Sequence, residues 1–140
     1  MNTLSLKIEK QLSCTTEAAF KAWTTPASMA AWYSPMGESN IPVHDLTVGG
    51  AYQIDMIGED AVHVHRGKFM EIDPPQKLVF TWTSDGTGQK ETLVTITFVH
   101  NDEGTLLTLV HEDFAETEMV EKHTGGWSVI LDKLAGMVTT

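Results

Sequence analysis

Cysteine is almost absent from this sequence, in which Cys14 is the one example among 140 residues. A single thiol cannot form a disulfide within the chain, so the pattern of a disulfide-stabilised secreted domain is missing. The first ten residues, MNTLSLKIEK, also lack the apolar run that a signal peptide or a membrane-spanning helix requires. We therefore expect a cytoplasmic protein that does not insert into a membrane.

Basic residues are also scarce. Nine lysine and arginine residues stand against nineteen aspartate and glutamate residues, which gives a formal net charge of −10. A charge of this sign repels the phosphates of nucleic acids and the anionic head groups of membranes. The composition therefore predicts that nucleic acid is not a partner.

The sequence also lacks the motifs that are typical of nucleotide binding and of covalent catalysis. The sequence has no G-x-G-x-x-G and no G-x-x-x-x-G-K-[ST], so a nucleotide would lack its usual phosphate cradle. It has no G-x-S-x-G elbow, and Cys14 has no histidine close to it in sequence. We expect no cofactor and assign no catalytic residue.

The apolar residues that are present, 41% of the chain by composition, suffice for a sizeable core. Residues 4–10 alternate apolar and polar side chains, which predicts a first strand. Residues 15–23 place Phe20 and Trp23 on one helical face, and Thr25-Pro26 supplies the N-cap and first position of a second short helix. No linker or repeat divides the sequence, so we expect a single domain over residues 1–140.

Beyond Ile41 the apolar period falls to two residues, and turn residues recur between the apolar runs. The predicted strands are residues 43–47, 52–56, 62–72, 78–83, 92–99 and 106–111. No helical segment separates them, so they form an antiparallel meander. Residues 116–137 return to a helical period, within which Gly125-Gly126 marks either a break or a close approach to the sheet.

These elements define an α+β helix-grip fold: a seven-stranded curved antiparallel sheet around a long C-terminal helix, with two short helices after strand one. Strand parity assigns the apolar residues of each strand to the inner face. A sheet curled around one helix leaves a space that side chains fill in part, which predicts a hydrophobic cavity. The side chains expected to contact a ligand there are Trp32, Tyr52, Ile54, Met56, His65, Phe80, Trp82, Ile96, Phe98, Leu109, His111, Trp127 and Leu131.

Two groups of histidines carry possible chemistry. His63 and His65 lie on the same side of one strand, a spacing that can chelate a metal if a carboxylate joins them. Glu71 has the right parity, but about 20 Å of strand at ~3.3 Å per residue separates it from His65, so we predict no metal site. His111 shares the inner face of its strand, and it is either a core histidine, a hydrogen-bonding partner of a ligand, or a general acid or base.

A series of short segments, in order along almost the whole chain, resembles a known family. They are Ala22-Trp23-Thr24-Thr25-Pro26, Trp32, Asp45 with Val48-Gly49-Gly50, Glu71-Ile72-Asp73-Pro74-Pro75, Leu78-Val79-Phe80-Thr81-Trp82, His111-Glu112-Asp113-Phe114, Gly126-Trp127 and Leu131-Asp132-Lys133-Leu134. The series resembles the START-like, Bet v 1-like (SRPBCC) superfamily, and within it the branch homologous to the C-terminal domain of the activator of the Hsp90 ATPase. That branch often has a basic residue where this chain has Thr47, which leaves Asp45 without an assured charge partner.

The resemblance implies the helix-grip fold and leaves three functions open, because the superfamily hosts many activities. The first is a binding module that holds an apolar or amphipathic small molecule in the cavity. The second is a protein-interaction module whose partner is a chaperone. The third is a cyclase- or hydrolase-type enzyme that uses His111, which would require a second titratable group in the same pocket.

Overall fold

The computed structural model describes residues 4–35 and 37–138, so the predicted domain extends beyond the described residues at both ends. In chain order the elements are β1 (Leu4–Leu12), α1 (Thr16–Thr24), α2 (Pro26–Trp32), β2 (Ser39–His44), β3 (Ala51–Ile57), β4 (Val62–Asp73), β5 (Lys77–Trp82), a 3-10 helix (Asp85–Thr87), β6 (Thr92–Asn101), β7 (Gly104–Phe114) and α3 (Thr117–Met137). The strands form one antiparallel sheet in the order β1-β7-β6-β5-β4-β3-β2. This arrangement confirms the predicted helix-grip fold.

Strand parity decides which side chains enter the core. In β6, Val94, Ile96 and Phe98 are buried, while the residues between them are partly exposed. The same alternation holds in β3 and at the start of β7, as the sequence predicts. Each buried set faces the helices, because residues two apart share one side of a strand.

Strand β7 extends past its predicted end at His111 through a β-bulge. Asp113 has a left-handed backbone (φ 74°), and the pairing register with β1 shifts between Leu4 and Ser5. One extra residue therefore stands in β7, and Phe114 turns inward to become buried beside His111. Period-two counting cannot detect this because the bulge reverses the parity.

Strand β2 differs from its predicted range of 43–47. It spans Ser39–His44, and Asp45 lies in the loop that follows. Asp45 accepts a hydrogen bond from Thr47 Oγ1 at 3.0 Å. The hydroxyl group of Thr47 is thus its partner at the position where the family often has a basic residue. Close packing fixes this loop, since a Cβ on Gly50 would lie 2.2 Å from the Asp45 carbonyl oxygen.

The two short helices fill the centre of the fold with aromatic rings. Thr15 caps α1 by accepting a hydrogen bond from the Ala18 amide, and Pro26 opens α2 as expected. Trp23 and Trp32 lie 4.9 Å apart between ring centroids, and Tyr33 stacks on Trp32 at 4.8 Å. These three rings are almost completely buried, so little free space is left at the centre.

The long helix α3 closes the open side of the sheet. It buries Trp127, Ile130, Leu131 and Leu134 and runs unbroken through Gly125-Gly126. A Cβ on either glycine would meet no atom within 4 Å. Both explanations predicted for the pair, a break or a close approach to the sheet, are therefore wrong.

Candidate ligand cavity

A cavity of about 400 Å³ opens at one end of the fold, between α3 and the ends of β3, β4 and β5. Its wall combines residues of these strands, of the loop after β5, of the connection between α2 and β2, and of the middle of α3. The lining residues are Pro35, Met56, His63, Val64, His65, Trp82, Ser84, Asp85, Gly86, Lys122, His123, Gly126, Trp127 and Ile130.

Aromatic and aliphatic side chains form the inner wall. Trp82, the last residue of β5, and Trp127 of α3 approach each other with ring centroids 5.0 Å apart. The ring of His65 packs on Trp82 at 4.8 Å. Met56 and Ile130, both buried, complete this surface. An apolar wall with a few polar groups is the usual composition of a small-molecule site.

Two glycines shape the wall of the cavity. Gly126 faces it from α3, and a Cβ there would have open space around it. Gly86, in the loop opposite, lies so close to the helix that a Cβ would stand 3.1 Å from His123 Cε1. Gly126 thus keeps a side chain out of the cavity, and Gly86 lets the loop approach His123.

His123 and His65 are the partly buried polar groups of the wall. His123 Nδ1 lies 2.8 Å from the Met119 carbonyl oxygen, and His65 Nδ1 lies 3.1 Å from the His63 carbonyl oxygen. Burial lowers the pKa of His123, and burial lowers the pKa of His65 to about 4. Both rings are therefore neutral near pH 7.

Trp82 carries an unsatisfied donor. Its indole Nε1–H is buried and has no hydrogen-bond partner among residues 4–35 and 37–138. Buried polar groups in proteins are almost always paired, and each exception calls for a physical explanation.

His111 lies in the core beside the cavity and is not part of its wall. Trp127 Nε1–H donates to His111 Nδ1 at 3.0 Å, which requires Nδ1 to be unprotonated. The proton is therefore on Nε2, 2.7 Å from Thr92 Oγ1, and Thr92 donates in turn to the Trp82 carbonyl oxygen at 2.6 Å. Burial, with a smaller effect from His123, lowers the pKa of His111 to about 2. Both ring nitrogens are used within the protein.

The structure brings together four of the thirteen predicted ligand contacts: Met56, His65, Trp82 and Trp127 line the cavity. Three others, Tyr52, Ile54 and Phe80, surround a gap of about 10 Å³ that the central aromatic rings almost fill. The remaining six belong to the packed core and are Trp32, Ile96, Phe98, Leu109, His111 and Leu131.

Sequence reasoning found Trp127 but missed the other residues that α3 contributes to the wall. His123, Gly126 and Ile130 recur at helical spacing on the face that also carries Trp127. This spacing indicates that the three residues share one face of the helix. Only the position of the loop after β5 shows that this face borders a cavity. The loop itself, with Asp85 and Gly86, lies between the predicted strands 78–83 and 92–99, and its sequence carries no further sign of a site.

Metal ligation finds no support in the arrangement of side chains. Within the described ranges, no group of three or more histidine, cysteine, aspartate or glutamate residues is placed to hold an ion. Glu71 instead lies 3.5 Å from Lys77 Nζ in an ion pair on the sheet surface.

In the described part of the chain, no helix is long and apolar enough to cross a bilayer.

Comparison with known proteins agrees with this architecture. A seven-stranded antiparallel sheet around a long C-terminal helix is the fold of the Bet v 1-like (SRPBCC) superfamily. Within it the chain belongs to the family described as activator of Hsp90 ATPase homolog 1-like protein, whose model matches residues 13–139.

Several solved structures are similar over nearly the whole chain. A protein from Chromobacterium violaceum is 26% identical, with a TM-score of 0.89 and coverage of 97% of this chain and 98% of its own. An AHSA1 protein from Silicibacter pomeroyi is 26% identical, with a TM-score of 0.78 and coverage of 96% of both chains. CalU16 from Micromonospora echinospora is 25% identical, with a TM-score of 0.72 and coverage of 97% of this chain and 76% of its own. Among curated proteins, none is significantly similar in sequence.

Proposed function

We propose that the protein binds an apolar or amphipathic small molecule in the cavity between Trp82 and Trp127. The observation that carries the proposal is the cavity itself, about 400 Å³ in volume and walled by aromatic and aliphatic side chains. Ligand sites fall between about 300 and 1,000 Å³, so the cavity suits a compact molecule with one or two rings or a short chain.

The position of the cavity supports the same proposal. The centre of the fold is filled by Trp23, Trp32 and Tyr33, whereas the end at Gly126 is left open. A ligand that covers this apolar wall removes it from water, and that removal favours binding. Met56, His65, Trp82 and Trp127 are the predicted contacts that we retain for this ligand.

Filling the cavity from α3 tests the proposal. In Gly126→Leu the new side chain enters the open space at the wall, and leucine also favours the helix over glycine by roughly 0.8 kcal/mol. We expect the variant to fold with unchanged or higher stability and to lose ligand binding. The measurement is the thermal midpoint with and without a panel of naphthalene, indole, 1-octanol and decanoate.

Gly125→Leu is the matched control. Gly125 has the same helical setting and the same absence of neighbours within 4 Å, but it does not line the cavity. The wild type and Gly125→Leu should gain about 2.7 kcal/mol of stability at a ligand concentration about a hundred times the dissociation constant. Equal gains in Gly126→Leu would place binding elsewhere, and no gain in any protein would reject the proposal.

Chaperone interaction is the second candidate, favoured by the family's description as an activator of Hsp90 ATPase homologue. A protein partner needs exposed apolar side chains. Val48 and Met70 are 68% and 53% exposed, and they flank the backbone pairing of Gly49 with Phe69. Titration of a chaperone ATPase with this protein would decide: stimulation that Val48→Asp removes supports the role, and a flat titration rejects it. We further propose a cytoplasmic location, where a free thiol such as that of Cys14 persists.

A further inference from the structure

One nitrogen in the cavity wall is a hydrogen-bond acceptor that has no partner among the described residues. His123 Nδ1 is 2.8 Å from the carbonyl oxygen of Met119, which can only accept, so the proton of the neutral ring is on Nδ1. Nε2 then presents a lone pair, and the hydrogen bonds of the described residues include none to this atom. Because His123 lines the cavity, Nε2 is available to a ligand that donates a proton.

The elements around His123 fix its ring in place. The ring packs against Phe114 at 4.8 Å and against His111 at 5.1 Å, measured between centroids. The loop that carries Gly86 approaches the Cε1–Nε2 edge of the ring, where a Cβ on Gly86 would be 3.1 Å from Cε1 and 3.5 Å from Nε2. A ring with these neighbours does not turn its Nδ1–H toward the cavity without losing the bond to Met119.

We propose that His123 is a specificity-determining residue whose Nε2 accepts a hydrogen bond from the hydroxyl group of a neutral ligand. The inference rests on the proposed function and names the chemistry of the ligand: a compact apolar alcohol or phenol. An ether of the same shape cannot donate, and it leaves the lone pair of Nε2 unpaired. A carboxylate places a negative charge against that lone pair and near Asp85, which also lines the wall.

A series of naphthalenes with one changed group tests the proposal. The probes are 2-naphthol, 2-methoxynaphthalene and naphthalene-2-carboxylate, and their binding is followed at neutral pH by quenching of tryptophan fluorescence. We expect 2-naphthol to bind up to about tenfold more tightly than the methyl ether, since a hydrogen bond contributes about 0.5–1.5 kcal/mol and about 1.4 kcal/mol is tenfold. The carboxylate should bind most weakly.

Substitution of the acceptor provides the second readout. His123→Phe keeps a ring in the same place but has no acceptor, so 2-naphthol and its methyl ether should bind equally. His123→Gln offers an amide oxygen and should restore part of the preference. His100→Phe removes an exposed histidine of β6 that is not in the wall, and it should leave the preference unchanged.

The outcomes separate this inference from the proposed function. If none of the three probes binds the wild type, the cavity proposal fails. If the alcohol and the ether bind the wild type equally, the cavity binds ligands but His123 does not select among them. Tighter binding of the carboxylate would overturn the inference in favour of an anion site at Lys122.

Discussion

At the scale of the residue, His111 shows how a buried polar group becomes part of a core. Both ring nitrogens make hydrogen bonds, and the bonds form a chain. Trp127 donates to His111, His111 donates to Thr92, and Thr92 donates to the Trp82 carbonyl oxygen. The chain links α3, β7, β6 and β5, and it connects the two tryptophans that face the cavity. A positively charged His111 cannot accept from Trp127, so the network requires the neutral ring.

This requirement predicts a loss of stability in acid. The pKa of His111 is about 2 in the folded protein and about 6.5 in the unfolded chain, so below pH 6.5 the unfolded chain binds more protons. The free energy of unfolding should therefore be at its full value above about pH 6.5. It should fall by about 1.4 kcal/mol per pH unit below that value from this residue alone.

Urea unfolding at pH 7 and pH 5 measures the effect. His111→Gln should be less stable at pH 7, because glutamine cannot restore both hydrogen bonds, but it should lose less stability between the two values by about 2 kcal/mol. His65 and His123, whose pKa values are also lowered, account for the remaining loss in the same direction. An unchanged loss in the variant would contradict the assignment.

The sequence predicted the direction of the His111 side chain but not its hydrogen-bond partners. Period-two counting from Leu107 and Leu109 correctly turned the ring inward. It could not supply the partners, since Thr92 and Trp127 are 19 and 16 residues away along the chain. A side chain's direction is a local property, whereas its hydrogen-bond partner depends on how the elements pack.

At the scale of the element, the contact between α3 and the connection from α2 to β2 defines one border of the cavity. Lys133 Nζ donates to the carbonyl oxygens of Ser34 and Gly37, at 2.9 and 2.7 Å. These two acceptors lie on either side of Pro35, which belongs to the cavity wall. Lys10 of β1 adds a second contact to α3 through an ion pair with Asp132.

Removal of the Lys133 ammonium should loosen this border. Lys133→Met keeps most of the aliphatic length but loses two charge-assisted hydrogen bonds, and we expect the free energy of unfolding to fall by about 1–3 kcal/mol. Lys21→Met, an exposed lysine of α1, is the control and should change it by less than about 0.5 kcal/mol. If chemical denaturation gives the same free energy of unfolding for the two variants, the two hydrogen bonds of Lys133 do not stabilise the fold.

Element identities were predictable because each follows from a short-range pattern. Alternation identified the strands, and Thr25-Pro26 identified the start of the second short helix. The extension of β7 was not predictable, because the bulge at Asp113 depends on pairing with β1. The role of Gly126 was missed for a similar reason: a glycine in a helix has the same sequence signature whether it faces a sheet, solvent or a cavity.

At the scale of the whole molecule, the cavity lies at one end of the sheet, away from its middle. Parity indicates that a side chain points inward but not how far the interior is filled at that depth. Trp23, Trp32 and Tyr33 occupy the middle, so inward residues such as Tyr52 and Phe80 meet packed rings. The end bounded by Trp82 and Trp127 has glycine at the position that a side chain could fill.

The most direct test of the account is a titration of ¹⁵N-labelled protein with 2-naphthol, followed through the indole and backbone N–H signals. We predict that the Trp82 indole and the Gly126 amide shift with saturation, while the indole signals of Trp23 and Trp32 stay in place. Shifts centred on Trp23 and Trp32, or on the exposed surface at Val48 and Met70, would contradict the account. So would a spectrum that does not change at saturating ligand.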